Sequence, residues 1–172
     1  VSCISEFILT MKALHNRINR HVLKQRIMQD STPRATLSFY QYYHLGNPQL
    51  FRDHFYLLLS DVDVLGRIYV SYEGVNAQIS VPTDRIEDFR SVLSTITFLE
   101  NIRLNFAIED DGKSFIKLII KVRDKIVADG LHDDTFDVTN KGIHLKAEEF
   151  NKLADNPETI IIDMRNHYES EV

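Results

Sequence analysis

Five cations stand in a row between residues 113 and 125. Lys117, Lys121 and Arg123 share the parity of one strand face, and Lys113 and Lys125 flank them. Alternate residues on one face of a strand lie about 6.5–7 Å apart, a spacing comparable to that of successive phosphates along a nucleic-acid strand. The row therefore predicts a polyanion-binding surface. The alternative is that these cations pair with the acidic segment that follows them.

A second set combines aromatic, amide and basic side chains on predicted strands. If those strands alternate, the outer face of one sheet carries Tyr40, Tyr42, Arg67, Tyr69, Asn76, Gln78, Arg103 and Asn105. Rings can stack on bases and amides can read base edges, as in RNA-recognition domains. The signature motif of those domains is absent, and tyrosines also suit packing beneath a further strand. Both interpretations stay open at this point.

A third set, Asp163, Arg165 and Glu169, follows the apolar run at 160–162. Open α/β sheets place their sites at this end of a strand. An ion pair that fixes the loop after the strand is the structural alternative, and we favour it.

Other chemistry finds little support in the sequence. The seven histidines form no compact set with the single cysteine, Cys3, so we predict no metal site. A phosphate-binding loop, a dinucleotide fingerprint and a nucleophile elbow are missing, and no resident cofactor is evident. One cysteine excludes an internal disulfide framework and fits a reducing, cytoplasmic setting.

The elements that position these residues follow the order β-α-β-β-α-β. We predict strands at 36–45, 66–72, 76–81 and 101–108, a helix from Pro48 capped by Asn47, and a second helix capped by Asp84. This is a ferredoxin-like α+β arrangement, with two helices on one face of an antiparallel sheet. A further strand at 115–122 has one apolar and one cationic face.

The segments on either side of this domain, which spans 35–128, differ from it in composition and predicted structure. Residues 1–10 predict a disordered leader, and 11–34 a basic segment with a helix at 17–28 that buries Ile18, Val22 and Ile27. An acidic linker at 129–142 precedes the start of an α/β domain at 143–172, with strands at 143–145 and 159–163 around a helix. The run 160–162 reads as a strand buried on both faces, which needs neighbouring strands. We therefore expect the front end of a longer protein.

Charge is unevenly distributed along a chain whose net charge is −5. Six lysines and arginines oppose one acid at 11–34, whereas eleven acids oppose four bases at 126–172. Basic patches on an acidic chain can hold a polyanion while the whole protein stays soluble. No apolar stretch approaches the roughly 18 residues of a membrane helix.

Several segments resemble a known family. These are LHNR at 14–17, GRIY at 66–69, EGVNAQISVP at 73–82, DDGKSF at 110–115 and KVRDKIVADG at 121–130. All are similar to the bacterial rhodanese-containing tRNA uridine hydroxylases, and IIIDMRNHYE at 160–169 resembles the start of a rhodanese domain.

The resemblance implies oxygen-dependent hydroxylation of the wobble uridine of tRNA to 5-hydroxyuridine, with molecular oxygen as co-substrate and tRNA as partner. It also implies an acylphosphatase-like domain followed by the start of a rhodanese domain. No residue here matches the family's essential cysteine, so we expect this chain alone to be inactive. A rhodanese-type sulfurtransferase with an accessory domain and a non-catalytic RNA- or protein-binding module are the alternatives.

Overall fold

The computed structural model describes residues 14–108, 113–126 and 142–163, in two compact units divided between Thr139 and Asn140. The predicted leader and residues 129–141 of the predicted linker lie outside the described residues. The first unit contains, in chain order, α1 (Arg20–Gln29), β1 (Arg34–Tyr42), α2 (Pro48–Asp61), β2 (Leu65–Ser71), β3 (Gly74–Pro82), α3 (Ile86–Ser94), β4 (Asn105–Phe106) and β5 (Leu118–Val122). Short 3-10 turns, Thr83–Arg85 and Thr97–Leu99, flank α3. The second unit contains α4 (Ala147–Ala154).

The five strands form one sheet in the order β4-β1-β3-β2-β5. All neighbours are antiparallel except β2 and β5, which are parallel. The first four strands and the helices α2 and α3 follow the order β-α-β-β-α-β. The prediction of a ferredoxin-like α+β domain with one extra strand is therefore confirmed.

One face of the sheet is buried beneath α2 and α3. The core residues alternate along the strands and recur at helical spacing: Leu37, Phe39, Ile68, Val70, Ala77, Ile79, Val81, Phe55, Leu59, Phe89 and Leu93. The rings of Phe39 and Phe89 join the sheet to α3, with centroids 6.3 Å apart. Because strand side chains alternate between faces, the polar residues between these positions lie on the opposite, outer face. The sequence predicted the inward positions of β2, β3 and α3 correctly.

The two core helices begin differently. Asn47 caps α2 as predicted, because its side-chain oxygen accepts a hydrogen bond from the Leu50 amide at 3.0 Å and Pro48 occupies the first turn. The predicted Asp84 cap of α3 is wrong. Asp84 lies within a 3-10 turn and α3 starts at Ile86 with no side-chain cap.

Several predicted strand boundaries also need correction. β1 ends at Tyr42 and not at residue 45. Tyr43 was expected to point inward, but it stacks on Phe98 at the surface, with ring centroids 4.4 Å apart. β4 is reduced to two residues, and Ile108 is fully exposed. Ile102 still packs against the core, but it does so without strand pairing. The period-two pattern identified the apolar residues correctly, but it predicted strand pairing for more of them than the structure shows.

The ends of the chain differ further from the prediction. α1 buries Leu23 and Ile27, whereas Val22 is 39% exposed. In the second unit, α4 confirms the predicted helix, but neither 143–145 nor 159–163 forms a strand. Ile160 and Ile162 are 85% and 72% exposed. A strand needs hydrogen-bonded neighbours, and the described residues of this unit supply none.

Candidate functional site

The cationic row lies on the outer face of the sheet, with Lys121 in β5 and Lys117 and Arg123 next to its two ends. Lys121 and Arg123 are exposed and Lys117 is half-buried, while Leu118 and Ile120 are buried on the opposite face. Within the described residues, none of the three cations forms an ion pair. Their positive charge is therefore presented to solvent along the edge strand, where an anion would relieve their mutual repulsion.

Strand register extends this face across the sheet. Lys121 lies level with Tyr69, which in turn lies level with Asn76 and Tyr40. The predicted aromatic and amide residues that share the face are Tyr40, Tyr42, Arg67, Tyr69, Asn76, Gln78 and Asn105. Arg103 precedes β4 and is the one predicted member that strand pairing does not bring onto this face.

Aromatic rings occupy one end of the outer face. The rings of Tyr40 and Tyr42 meet edge to face, with centroids 6.2 Å apart, and Tyr40 is 52% exposed. The Arg123 guanidinium carbon lies 5.7 Å from the centroid of the Tyr69 ring, within cation–π distance. The cation and the ring thus orient each other, and both can meet a phosphate or a base.

Asn76 has a structural contact that competes with the predicted RNA contact. Its side-chain Nδ2 donates a hydrogen bond to the backbone oxygen of Ile126 at 3.1 Å, and the Ile126 amide donates to Glu73 Oε1 at 2.6 Å. Ile126 itself is buried. The two side chains therefore hold the segment that leaves β5, and we call this contact the Ile126 clamp. Lys125, adjacent to it, is half-buried.

A cleft of about 510 Å³ lies between α1 and the β2–β5 side of the sheet. We call it the α1 cleft. Five cations line it: Arg20, Lys24, Arg67, Lys113 and Lys117. Ile27, Met28, Phe115, Ile116 and Ile119 supply apolar wall. The sequence shows that α1 is basic but not that Arg20 and Lys24 line a cleft, because only the packing of α1 determines which of its cations face the sheet. Their spacing of four residues, one helical turn, was the available signal.

An aspartate near the α1 cleft stays ionised. The pKa of Asp30 is lowered mainly by hydrogen bonds from the side chain and amide of Thr32, and further by the charges of Arg34 and Lys113. Lys113 also donates to the backbone oxygen of Met28 at 3.5 Å. Lys113 therefore links the segment before β5 to the end of α1.

Comparison with known proteins identifies the domain that carries this face. The profile of the UPF0176 acylphosphatase-like domain matches residues 34–126, more than half of the chain. The chain belongs to the UPF0176 family. The match begins at the first residue of β1 and ends at Ile126, so it spans the sheet, both core helices and the Ile126 clamp.

Curated relatives extend the similarity beyond the UPF0176 domain. A protein from Photorhabdus laumondii is 50% identical over 94% of this chain, and proteins from Pectobacterium carotovorum and Salmonella newport are each 52% identical over the same share. All three are named tRNA uridine(34) hydroxylase. The chain covers 46% or 47% of their lengths, so it spans about half of each relative.

Outside the UPF0176 domain, several of the predicted site residues are not among those that the structure describes. Arg165 and Glu169 of the predicted rhodanese motif lie outside the described residues, as does Cys3. The described part of the chain holds no cluster of His, Cys, Asp or Glu able to bind a metal ion. Nor does any described helix have the length and apolar character to cross a membrane.

Proposed function

We propose that this chain is the RNA-holding amino-terminal part of an oxygen-dependent hydroxylase that forms 5-hydroxyuridine at the wobble position of tRNA. Relatives about half identical to it over 94% of its length bear the name tRNA uridine(34) hydroxylase, which supports this assignment. Because the chain spans about half of each relative, the proposal concerns the longer protein. We assign no catalytic residue to this chain.

The observation that carries an RNA-holding role is the positive outer face. Lys117, Lys121 and Arg123 stand on one strand face without ion pairs among the described residues, and tyrosines and amides lie beside them. Phosphate contacts of this kind release counterions and supply most of the sequence-independent affinity for a nucleic acid. Within the described residues α2 and α3 fill the opposite face, so we place the RNA on the outer face of the sheet.

Nucleoside mass spectrometry tests the activity. tRNA from a strain that lacks the complete gene should lose 5-hydroxyuridine and its derivatives, and the intact gene should restore them. A gene carrying Lys121→Glu and Arg123→Glu should restore them poorly, whereas Arg90→Glu on α3 is the control because that residue lies on the other side of the sheet. Unchanged 5-hydroxyuridine in the deletion strain contradicts the proposal. Thiosulfate:cyanide sulfur transfer by the purified protein would then favour the sulfurtransferase.

A further inference from the structure

We propose that the α1 cleft binds one unstacked nucleotide of a single-stranded RNA segment, with its phosphates on the cations and its base against the apolar wall. The inference rests on the proposed function, which makes RNA the ligand, and adds which form of RNA is held and where. It also gives α1, which precedes the UPF0176 domain, a part in the binding surface.

The charge of the cleft favours an anionic ligand. Arg20 and Lys24 come from one wall and Arg67 and Lys117 from the other, while Lys113 lies at the end of α1. Among the described residues no acidic side chain lines the cleft, and Asp30 lies near Lys113 at its edge. Like charges gathered around one space repel one another, and phosphate groups remove this repulsion while they release their own counterions.

The wall of the cleft is suited to a base as well as to phosphate. Ile27 is buried, and Phe115, Ile116 and Ile119 are half-buried beside the cations. Bases that are unstacked from their neighbours pack on aromatic and apolar side chains and on guanidinium planes, and Arg67 supplies such a plane. A site for inorganic phosphate alone would gain nothing from this apolar surface.

The shape of the cleft favours a single strand over a duplex. Its volume of about 510 Å³ falls within the range of small-molecule sites, roughly 300–1,000 Å³. An A-form duplex keeps its bases stacked inside and presents a convex backbone, so it cannot place a base between α1 and the sheet. A loop or an unpaired end can turn one nucleotide outward into the cleft.

Charge reversal on α1 tests the phosphate contacts. Lys24 lines the cleft, whereas Arg26 is an exposed cation on another side of the same helix and does not line it. Lys24→Glu should raise the Kd for a fluorescein-labelled single-stranded RNA 10-mer at least about tenfold and lower the salt slope by about 0.7 or more. Arg26→Glu should change the Kd by less than about threefold. Equal losses in the two variants would overturn the site.

Abasic scanning of the same RNA tests the base contact without altering the protein. Removing the base at successive positions of the 10-mer should weaken binding several-fold at one or two positions. Uniform affinity across the scan, or a fully paired duplex that binds as tightly as the single strand, would contradict a nucleotide-sized site. Uridine monophosphate should compete only at concentrations far above the Kd of the 10-mer. Competition at equal concentration would instead make the cleft a site for free nucleotides.

The binding measurements and the nucleoside analysis together distinguish a failure of the cleft proposal from a failure of the hydroxylase proposal. If the cleft is wrong but the hydroxylase assignment is right, Lys24→Glu and Arg26→Glu bind RNA alike while deletion of the gene still abolishes 5-hydroxyuridine. If the activity is wrong but the cleft is right, the binding results stand while 5-hydroxyuridine persists in the deletion strain.

Discussion

Asp53 shows how single hydrogen bonds attach the start of the chain to the UPF0176 domain. Its Oδ1 accepts from the Leu14 amide at 3.2 Å and from Arg52 Nε at 3.0 Å, and its Oδ2 accepts from Arg52 Nη2 at 2.9 Å. Burial raises the pKa of Asp53, but the hydrogen bonds from Arg52 and Leu14 outweigh it, so the pKa lies below its ordinary value. The Asp53 carboxylate therefore fixes the segment before α1 to α2, and these hydrogen bonds favour its ionised form.

The lowered pKa of Asp53 predicts a pH dependence of stability. A carboxyl whose pKa falls on folding stabilises the fold fully above its unfolded pKa, about 3.9, and loses that stabilisation as the pH drops through its folded pKa. Asp53→Asn should lower the free energy of unfolding by about 1 kcal/mol at pH 7. Urea titrations from pH 7 to pH 2 should show the two proteins converging below about pH 4. A difference that is the same at every pH would contradict this role.

Residues on regular strands could be assigned from sequence, and long-range contacts could not. Lys117, Lys121 and Arg123 share a face because strand side chains alternate, which periodicity alone dictates. The role of Asn76 in the Ile126 clamp depends on a partner 50 positions away. The contribution of Lys24 to the α1 cleft depends on where α1 packs, which helical spacing does not reveal.

At the scale of elements, the Ile126 clamp fixes how the chain leaves β5. Glu73 and Asn76 belong to the connection between β2 and β3 and to the start of β3, so two successive elements hold the exit segment. The segment EGVNAQISVP is typical of the family, but the sequence alone does not explain the role of its glutamate. The structure supplies that reason.

Removing the Glu73 carboxylate should loosen the exit segment. Glu73→Ala leaves the Ile126 amide without its side-chain acceptor, so we expect faster hydrogen exchange at that amide and a loss of about 1–2 kcal/mol in the free energy of unfolding. Glu73→Gln keeps an oxygen acceptor and should retain most of the protection. Hydrogen exchange followed by NMR or mass spectrometry measures the effect. Protection at Ile126 that survives Glu73→Ala would show that the clamp lies elsewhere.

The hairpin between β2 and β3 depends on Gly74. Its φ is +139°, and an added Cβ would lie 2.0 Å from the backbone oxygen of Gln41 in the neighbouring strand. We expect Gly74→Ala to lower the free energy of unfolding by more than about 3 kcal/mol, because both the backbone conformation and the pairing with β1 are lost.

Gly46 is the matched control for this substitution. An added Cβ there meets nothing within 4 Å. Thermal unfolding of both variants decides the prediction, since Gly46→Ala should change stability by less than about 0.5 kcal/mol. Similar melting temperatures for the two alanine variants would rule out the proposed strain.

Element types were predicted better than element lengths. The helices α2, α3 and α4 and the strands β1, β2, β3 and β5 all occur close to where the sequence placed them. The strands expected at 143–145 and 159–163 do not form. An apolar run such as 160–162 indicates that a segment can enter a sheet, but it does not show that neighbouring strands are present to pair with it. β4 is shorter than predicted, since only Asn105 and Phe106 of the expected strand at 101–108 pair with β1.

At the scale of the whole molecule, charge and packing distinguish the two faces of the sheet. α2 and α3 bury the inner face and stabilise the domain, while the outer face carries Lys117, Lys121 and Arg123, which form no ion pair among the described residues. The net charge of the whole chain is −5. The topology followed from the order of elements. The joining of α1 and β5 into one cationic surface did not, because it requires the parallel pairing of β2 and β5 and the placement of α1.

The salt dependence of tRNA binding by the complete protein tests most directly whether this outer face holds tRNA. Lys121→Glu with Arg123→Glu should weaken binding at least about tenfold and lower the slope of log affinity against log salt by about 1–2, whereas Arg90→Glu should leave both nearly unchanged. An unaltered affinity and slope in the double variant, or an equal loss in Arg90→Glu, would contradict the account.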